Sequence, residues 1–129
     1  MEVILEKITK KDLEFARKLR NKNRKYFLDQ RYIVRAVHVQ WFKKLNYPFY
    51  IIWVNKERVG TIGLKPYNNK SNEITNVLID EKYRHQGILA EVLRKFKHVD
   101  YLEVRVDNEQ AIEAYKKLGF RIISLKMKK

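Results

Sequence analysis

The chain has 129 residues, 45% of them hydrophobic and 12% aromatic, which is enough for one packed domain and too few for two. It contains no cysteine, which excludes disulfides, thiolate metal sites and a cysteine nucleophile. Lys and Arg outnumber Asp and Glu by 29 to 15, so the net charge of +14 produces a field that attracts polyanions.

Neither the hydrophobic pattern nor the N-terminal sequence points to a membrane or to secretion. The longest apolar run, Phe49–Val54, is far too short to span a bilayer. The N-terminus starts with an acidic residue and alternating apolar positions, unlike a signal peptide, so we expect a soluble cytoplasmic protein. The Lys residues are scattered rather than gathered in blocks, and exposed Lys also serves solubility alone, so we expect any nucleic-acid binding to be weak and non-specific.

The first half of the chain predicts a strand, two helices and a hairpin. Thr9 and Asp12 form a capping box that opens the first helix. Val37, Trp41 and Leu45 recur every four residues, which is typical of one face of a second, shorter helix. In chain order, the elements are a strand over 3–8, a helix with Leu13, Ala16 and Leu19 on one face, a helix over 37–45, and strands over 49–54 and 59–64 around the turn 55–58.

The second half predicts strands and helices in alternation. Gly119 fits the C-terminal cap of the last helix. The elements are a strand over 73–79, a helix from about 87 to 96, a strand over 101–106, a helix over 109–118, a last strand over 121–125 and a basic tail. This order implies a single α/β (α+β) domain, residues 1–129, with a mixed sheet that helices cover on both faces.

The most informative segment runs from Arg84 to Glu91, where a turn follows a strand and opens a helix. Such a turn directs free backbone N–H groups at one point beside the positive end of the helix dipole, which suits a pyrophosphate. Gly87 permits a phosphate to approach the backbone closely. A plain helix-starting turn also explains one glycine, so this pattern is weak when taken alone.

A second segment reads Asn108-x-x-Ala111-x-x-x-Tyr115-x-Lys117-x-Gly119-Phe120. Together with Arg84-x-x-Gly87-x-Leu89, it resembles the cofactor-binding and acid-catalysis segments of the GNAT family, the acetyl-CoA-dependent N-acetyltransferases. The stretch from Leu102 to Arg105 is similar to that of the ribosomal-protein N-terminal acetyltransferases. The resemblance implies a mostly antiparallel sheet, acetyl-CoA as cosubstrate, and direct attack of a primary amine on the thioester.

The same resemblance implies roles for individual residues. Tyr115 would protonate the departing CoA thiolate, and Asn108 would contact the pantetheine arm. The family has Gly or Ala where this chain has Leu89, which either narrows the phosphate cradle or packs into the core. The implied cofactor-binding residues are the strand residues Val77, Leu78 and Ile79 and the turn residues Arg84, His85, Gln86, Gly87, Ile88, Leu89 and Ala90.

An attacking amine must be neutral, so a base or an ordered water has to take up its proton. Glu73 matches the position of the base in histone-type relatives, and Glu103 matches the position proposed for the ribosomal type. Either could equally be a solvated strand residue. His38 lies in a segment similar to acceptor-side segments of the family, but a structural role is commoner for such a histidine. The three His and the carboxylates show no metal-ligand spacing.

The acceptor is left open among an amino-sugar nucleotide, a protein N-terminal amine and a small polyamine. The basic surface disfavours a polyamine because like charges repel. A different class of function also stays open, in which the same fold is a basic RNA- or ribosome-associated module with little or no catalysis. We expect no membrane partner, and a homodimer is left open.

Overall fold

The structure is a computed structural model that describes all residues from 1 to 129. It contains five strands and four α-helices, and short 3-10 turns precede α1, α2 and α3. The elements are β1 (Val3–Lys7), α1 (Leu13–Lys22), α2 (Arg35–Lys44), β2 (Phe49–Val54), β3 (Glu57–Pro66), β4 (Asn72–Ile79), α3 (Ile88–Arg94), β5 (Val99–Leu102) and α4 (Glu109–Lys117).

The strands form one sheet in the order β1-β2-β3-β4-β5. The first three pairings are antiparallel and the pairing of β4 with β5 is parallel, which confirms the mixed, mostly antiparallel sheet. β2 and β3 form the predicted hairpin, because Asn55 and Lys56 adopt positive φ angles of 51° and 65° that match the twist of the flanking strands. The parallel pairing needs a crossover, which α3 supplies.

Helices cover both faces of the sheet, as predicted. Consecutive strand residues point to opposite faces, so Phe49, whose ring meets Trp41 of α2 edge-on at 5.0 Å, marks one face. Tyr50, whose ring lies 5.6 Å from Phe96 just after α3, marks the other. The main hydrophobic core lies on the α3 face, where Ile88 and Val92 pack against the strands. The core's buried strand residues are Val3, Ile52, Val54, Val59, Ile62 and Ile74.

The first helix begins at the predicted capping box. The Asp12 carboxylate accepts a hydrogen bond from the Thr9 backbone N–H at 2.8 Å and from the Thr9 hydroxyl at 3.1 Å. The same carboxylate is buried and accepts from Arg58 Nε at 2.9 Å. One local motif therefore also ties the start of α1 to β3. The longest helices have ten residues, and none is long and apolar enough to cross a membrane.

Two predictions in the last third of the chain are wrong. The fifth strand spans Val99–Leu102 rather than 101–106, and Val106 is 70% exposed. Residues 121–125 form no strand: they are exposed and none of their backbone groups takes part in a hydrogen bond. Their β-type composition is a local property, whereas a strand exists only where a neighbouring edge accepts its hydrogen bonds.

Candidate active site

The cavity that holds the candidate site opens where β4 and β5 part. β4 pairs with β3 over its whole length, but its pairing with β5 ends at Ile74 and Leu102. The remaining edge of β4, up to Ile79, faces a cavity of about 710 Å³. This unpaired edge leaves backbone N–H and C=O groups free to bind an extended ligand.

A β-bulge in β4 lies close to the point where β4 and β5 part. The step from Thr75 to Leu78 on β4 lies opposite the shorter step from Gly63 to Thr61 on β3, so β4 carries one extra residue. Asn76 adopts a φ of 49° in this bulge, and its carbonyl accepts a hydrogen bond from the Thr61 hydroxyl at 2.8 Å. Because a bulge bends its strand, it accounts for the parting of β4 from β5.

Two glycines of β3 make room for the bulge, and the sequence analysis missed them. A Cβ at Gly60 would lie 2.2 Å from the Leu78 carbonyl oxygen, and one at Gly63 would lie 2.7 Å from Thr75 Cγ2. Glycine inside a strand pattern often marks a bulge or a close backbone approach. That signal was present in the sequence.

The turn between β4 and α3 forms one end of the cavity. His85 and Gly87 both adopt left-handed backbone conformations, with φ angles of 64° and 78°. Gly87 is the N-cap of α3, and a Cβ built on it would meet nothing within 4 Å, so this position faces open space. The first N–H groups of α3 have no partner within the helix, as at every helix start.

The predicted turn residues differ in where they point. Ile88 is buried in the core and Leu89 is half-buried, and both line the cavity, so Leu89, which departs from the family pattern, lies at the site. Arg84 lines the cavity but directs its guanidinium to the protein, donating to the Ile79 carbonyl at 3.0 Å and to Asn23 Oδ1 at 2.7 Å. Gln86 is exposed, donates to the Lys82 carbonyl at 3.4 Å, and does not line the cavity.

Tyr115 is buried on α4 and lines the same cavity. Its ring packs edge-on against Phe120 at 5.9 Å, because Gly119 (φ 98°) ends the helix and turns the chain back. Burial raises the pKa of the Tyr115 phenol to about 12. Its hydroxyl takes part in no hydrogen bond within the protein, so it is free to contact a ligand.

Three other predicted residues line the same cavity as Tyr115. Asn108 caps α4, with its Oδ1 accepting from the Ala111 N–H at 3.3 Å, while its Nδ2 faces no protein acceptor. Glu73 on β4 is half-buried, and Glu103 is exposed just after β5. The structure therefore brings most of the predicted site residues to one cavity, whose lining includes Glu73, Val77, Leu78, Ile79, Arg84, His85, Gly87, Ile88, Leu89, Ala90, Glu103, Asn108 and Tyr115.

Part of the cavity wall comes from a segment that the sequence analysis did not assign to the site. Tyr26, Phe27 and Leu28, which follow α1, line the cavity. The Arg20 guanidinium lies 3.4 Å from the centre of the Phe27 ring and donates to the Asp29 carbonyl at 2.7 Å. The aromatic pair Tyr26-Phe27 after a basic run is visible in the sequence. Because the pair is far along the chain from the other site residues, the sequence did not indicate that it lines the cavity.

Comparison with known proteins supplies the family. The sequence model of the acetyltransferase (GNAT) family matches residues 13–120. The chain is 30% identical over 102 residues to a mycothiol acetyltransferase of Corynebacterium efficiens, covering 73% of this chain and 34% of that protein. It is 33% identical over 107 residues to an N-alpha-acetyltransferase of Sulfurisphaera tokodaii, covering 67% of this chain and 64% of that protein. The chain thus spans about a third of the length of the first relative and somewhat under two thirds of the length of the second.

Solved structures show the same fold. A domain from Methanocaldococcus jannaschii superimposes with a TM-score of 0.77 at 23% identity, covering 93% of this chain and 88% of that one. Ard1 from Thermoplasma volcanium gives a TM-score of 0.73 at 24% identity, covering 96% and 86%. An acetyltransferase-like protein of Salmonella typhimurium, solved with its cofactor acetyl-CoA, gives 0.72 at 13% identity, covering 96% and 82%. By the family match over most of its length, the chain belongs to the acetyltransferase (GNAT) family.

Proposed function

We propose that the protein transfers the acetyl group of acetyl-CoA to a primary amine by direct attack of the amine on the thioester. One observation carries the proposal: the free edge of β4, the Gly87 turn and the unpartnered Tyr115 hydroxyl all line one cavity. The family membership supports the same reaction class. A cytoplasmic location is a part of the proposal that rests on the sequence alone, and the acceptor is proposed as a primary amine without a more specific identity.

The residues present fit acetyl-CoA. The unpaired backbone of β4 between Val77 and Ile79 would hold the pantetheine amides as an added strand. The turn at Gly87 and the first N–H groups of α3 would bind the pyrophosphate, because the Gly87 position has open space where a side chain would lie. Asn108 Nδ2, which has no protein partner, would donate to the pantetheine arm.

In the reaction, the amine lone pair forms the C–N bond and the C–S bond of the thioester breaks. The amine proton passes to Glu73, to Glu103 or to an ordered water, since both carboxylates line the cavity with Tyr115. The electron pair of the C–S bond stays on sulfur, which takes a proton or a hydrogen bond from the Tyr115 hydroxyl.

The pKa of Tyr115 bears on how this proton is used. At about 12, the phenol keeps its proton at every physiological pH. A thiol has an ordinary pKa of about 8.5, so complete proton transfer from Tyr115 to a free thiolate is uphill. We therefore expect Tyr115 to act chiefly by donating a hydrogen bond to sulfur while its negative charge develops.

The experiment begins with calorimetric titration of acetyl-CoA into the protein, followed by a thiol-release assay with a panel of amines. The name of one sequence relative, an N-alpha-acetyltransferase, directs the panel first to peptides with a free N-terminal α-amine. An amino-sugar nucleotide and a polyamine complete it. Saturable acetyl-CoA binding without acetyl transfer to any of them would restrict the proposal to cofactor binding, and absence of acetyl-CoA binding would refute it.

The charge of +14 favours one second candidate, a basic RNA-associated module on the same fold. We expect RNA affinity to be on the order of 10 µM or weaker at physiological salt, and to fall steeply as salt is raised. Fluorescence anisotropy with unrelated RNAs at several salt concentrations measures both properties. Submicromolar, sequence-dependent binding that survives raised salt would favour the RNA-associated module over the enzyme.

A further inference from the structure

We propose that Asn23, at the end of α1, is a positioning residue for the cofactor turn: it holds Arg84, and through Arg84 the backbone of the turn from Arg84 to Gly87. The inference deepens the proposed function, because the turn is the part of the site assigned to the pyrophosphate. Asn23 and Arg84 are 61 residues apart in the chain, and no sequence pattern joins them.

The turn needs an anchor because its backbone is strained. His85 adopts a left-handed φ of 64° despite its Cβ, and Gly87 follows at 78°. A left-handed non-glycine residue is strained and persists only where the surroundings fix it. His85, Gln86 and Gly87 are all exposed, so packing does not hold them.

Arg84 supplies the side-chain hydrogen bonds from this turn to other elements. Its Nε donates to the Ile79 carbonyl of β4 at 3.0 Å, and its Nη2 donates to Asn23 Oδ1 at 2.7 Å. The side-chain bond from Gln86 reaches only the nearby Lys82 carbonyl, and at 3.4 Å it is long. The arginine therefore fastens the turn to β4 on one side and to α1 on the other.

Asn23 is fixed in a way that suits it to receive this arginine. It is 5% exposed and is the C-cap of α1, where its backbone N–H bonds to carbonyls of the last turn. Its Nδ2 donates to the Leu19 carbonyl at 2.9 Å. Because the amide nitrogen is committed to Leu19, the amide oxygen has one orientation, toward the Arg84 guanidinium. Leu19 itself is buried, so the residue to which the Asn23 amide is bonded is held in place by packing.

The chemical consequence is a preorganised phosphate site. A turn that is already ordered loses less conformational entropy when a ligand binds. Arg84 is in this way committed to holding the backbone, and its guanidinium is not free to act as the main contact to a phosphate. Removal of its partner should loosen the turn without removing any atom that contacts the cofactor.

Three variants separate positioning from general destabilisation. Asn23→Leu removes both side-chain bonds with little change in size, and Asn23→Asp keeps an oxygen acceptor for Arg84 while losing the donor to Leu19. Asn21→Leu is the matched control: Asn21 is also on α1 and makes two side-chain bonds, to the Ile33 carbonyl at 2.9 Å and from the Ile33 N–H at 2.7 Å, without contacting Arg84.

The first measurement is hydrogen–deuterium exchange of the turn amides in the protein without acetyl-CoA. We expect exchange of residues 85–90 to rise in Asn23→Leu and to stay near the wild-type rate in Asn23→Asp and Asn21→Leu. Arg84→Met removes the bond to Asn23 together with the bond to the Ile79 carbonyl, so it should raise exchange at least as much as Asn23→Leu, and it replaces that variant if Asn23→Leu folds poorly. Unchanged exchange of the turn in both Asn23→Leu and Arg84→Met would overturn the proposal.

The second measurement is acetyl-CoA affinity by calorimetry. Loss of a bond to a charged group should weaken binding about tenfold in Asn23→Leu, with Asn23→Asp close to wild type. The double variant Asn23→Leu/Arg84→Met should lose no more affinity than Arg84→Met alone, because Asn23 acts on the turn only through Arg84. Additive losses, or an equal loss in Asn21→Leu, would show a merely structural role. Failure of the wild type to bind acetyl-CoA would refute the proposed function, whereas the exchange experiment would still decide whether Asn23 holds the turn.

Discussion

The imidazole of His38 stacks on the indole of Trp41, with ring centroids 4.9 Å apart and planes 21° from parallel. His38 is 6% exposed, and Trp41 in turn meets Phe49 of the sheet edge-on. The pair lies outside the lining of the candidate site cavity. His38, whose segment is similar to acceptor-side segments of the family, therefore packs α2 against the sheet together with Trp41.

This packing predicts a pH dependence of stability. Burial lowers the pKa of His38, and the Arg17 guanidinium lowers it further, while Glu14 opposes them. The folded state favours the neutral ring, so at pH values below the ordinary histidine pKa of about 6.5 the unfolded state binds the proton more readily and stability falls. We expect the melting temperature to drop between pH 7.5 and 5, and to drop less in His38→Gln. If the melting temperature of His38→Gln fell with pH as steeply as that of the wild type, His38 would not be the source of the pH dependence.

Removing the Tyr115 hydroxyl tests its role at the sulfur. Tyr115→Phe keeps the ring and its contact with Phe120, so we expect native circular dichroism and acetyl-CoA affinity within a few-fold of wild type. Turnover should fall by ~10²-fold, the lower end of the range for positioned acids, because the phenol is a weak acid here. The measurement is single-turnover acetyl transfer. An unchanged rate of the chemical step would make Tyr115 a core aromatic only.

The raised pKa of the Tyr115 phenol also predicts a loss of stability at alkaline pH. Since burial raises the pKa of Tyr115 to about 12, the folded state retains a proton that an unfolded tyrosine loses near pH 10. The contribution of this residue to stability is present below pH 10 and declines as the pH rises toward 12. The urea midpoint of the wild type should therefore fall relative to that of Tyr115→Phe over that interval. Parallel midpoints across it would argue that the phenol is not shielded from water.

A side chain at Gly87 should block the cofactor. Gly87→Val places a Cβ in open space of the site and forces a β-branched residue into a left-handed backbone conformation. We expect acetyl-CoA affinity to fall at least about tenfold, or ~1.4 kcal/mol, with circular dichroism unchanged. Gln86→Val is the matched control, since Gln86 adjoins Gly87 but does not line the cavity. Equal losses of acetyl-CoA affinity in both variants would mean that any substitution in the turn weakens binding, and that the open space at Gly87 has no special role.

The bulge of β4 should depend on a glycine of the neighbouring strand. A Cβ in Gly60→Ala would lie 2.2 Å from the Leu78 carbonyl oxygen, so one of the two strands must move. Overpacking of this kind typically costs ~1–3 kcal/mol, and here it falls on backbone, so we expect at least the upper end. Urea unfolding measures the loss. Gly119→Ala, whose Cβ meets nothing within 4 Å, should cost less, about 1–2 kcal/mol from its left-handed φ alone.

Several features of this protein follow from residues close together in the chain. The capping box of Thr9 and Asp12, the Asn108 cap and the Gly119 termination of α4 each involve contacts within a few residues, and the structure has all three. The spacing from Asn108 through Tyr115 to Phe120 was likewise readable, because one helix and its cap set it. Helical periodicity and capping are local interactions, and a sequence displays them directly.

Other features depended on which distant segments meet. Residues 121–125 have the composition of a strand but pair with no strand of the sheet. β4 bends away from β5 because of a bulge that Gly60 and Gly63 of another strand accommodate. The wall from Tyr26 to Leu28 and the bond from Arg84 to Asn23 join segments tens of residues apart. Strand pairing and side-chain contacts across the fold release their free energy only when the whole chain is packed, so no short window of sequence contains them.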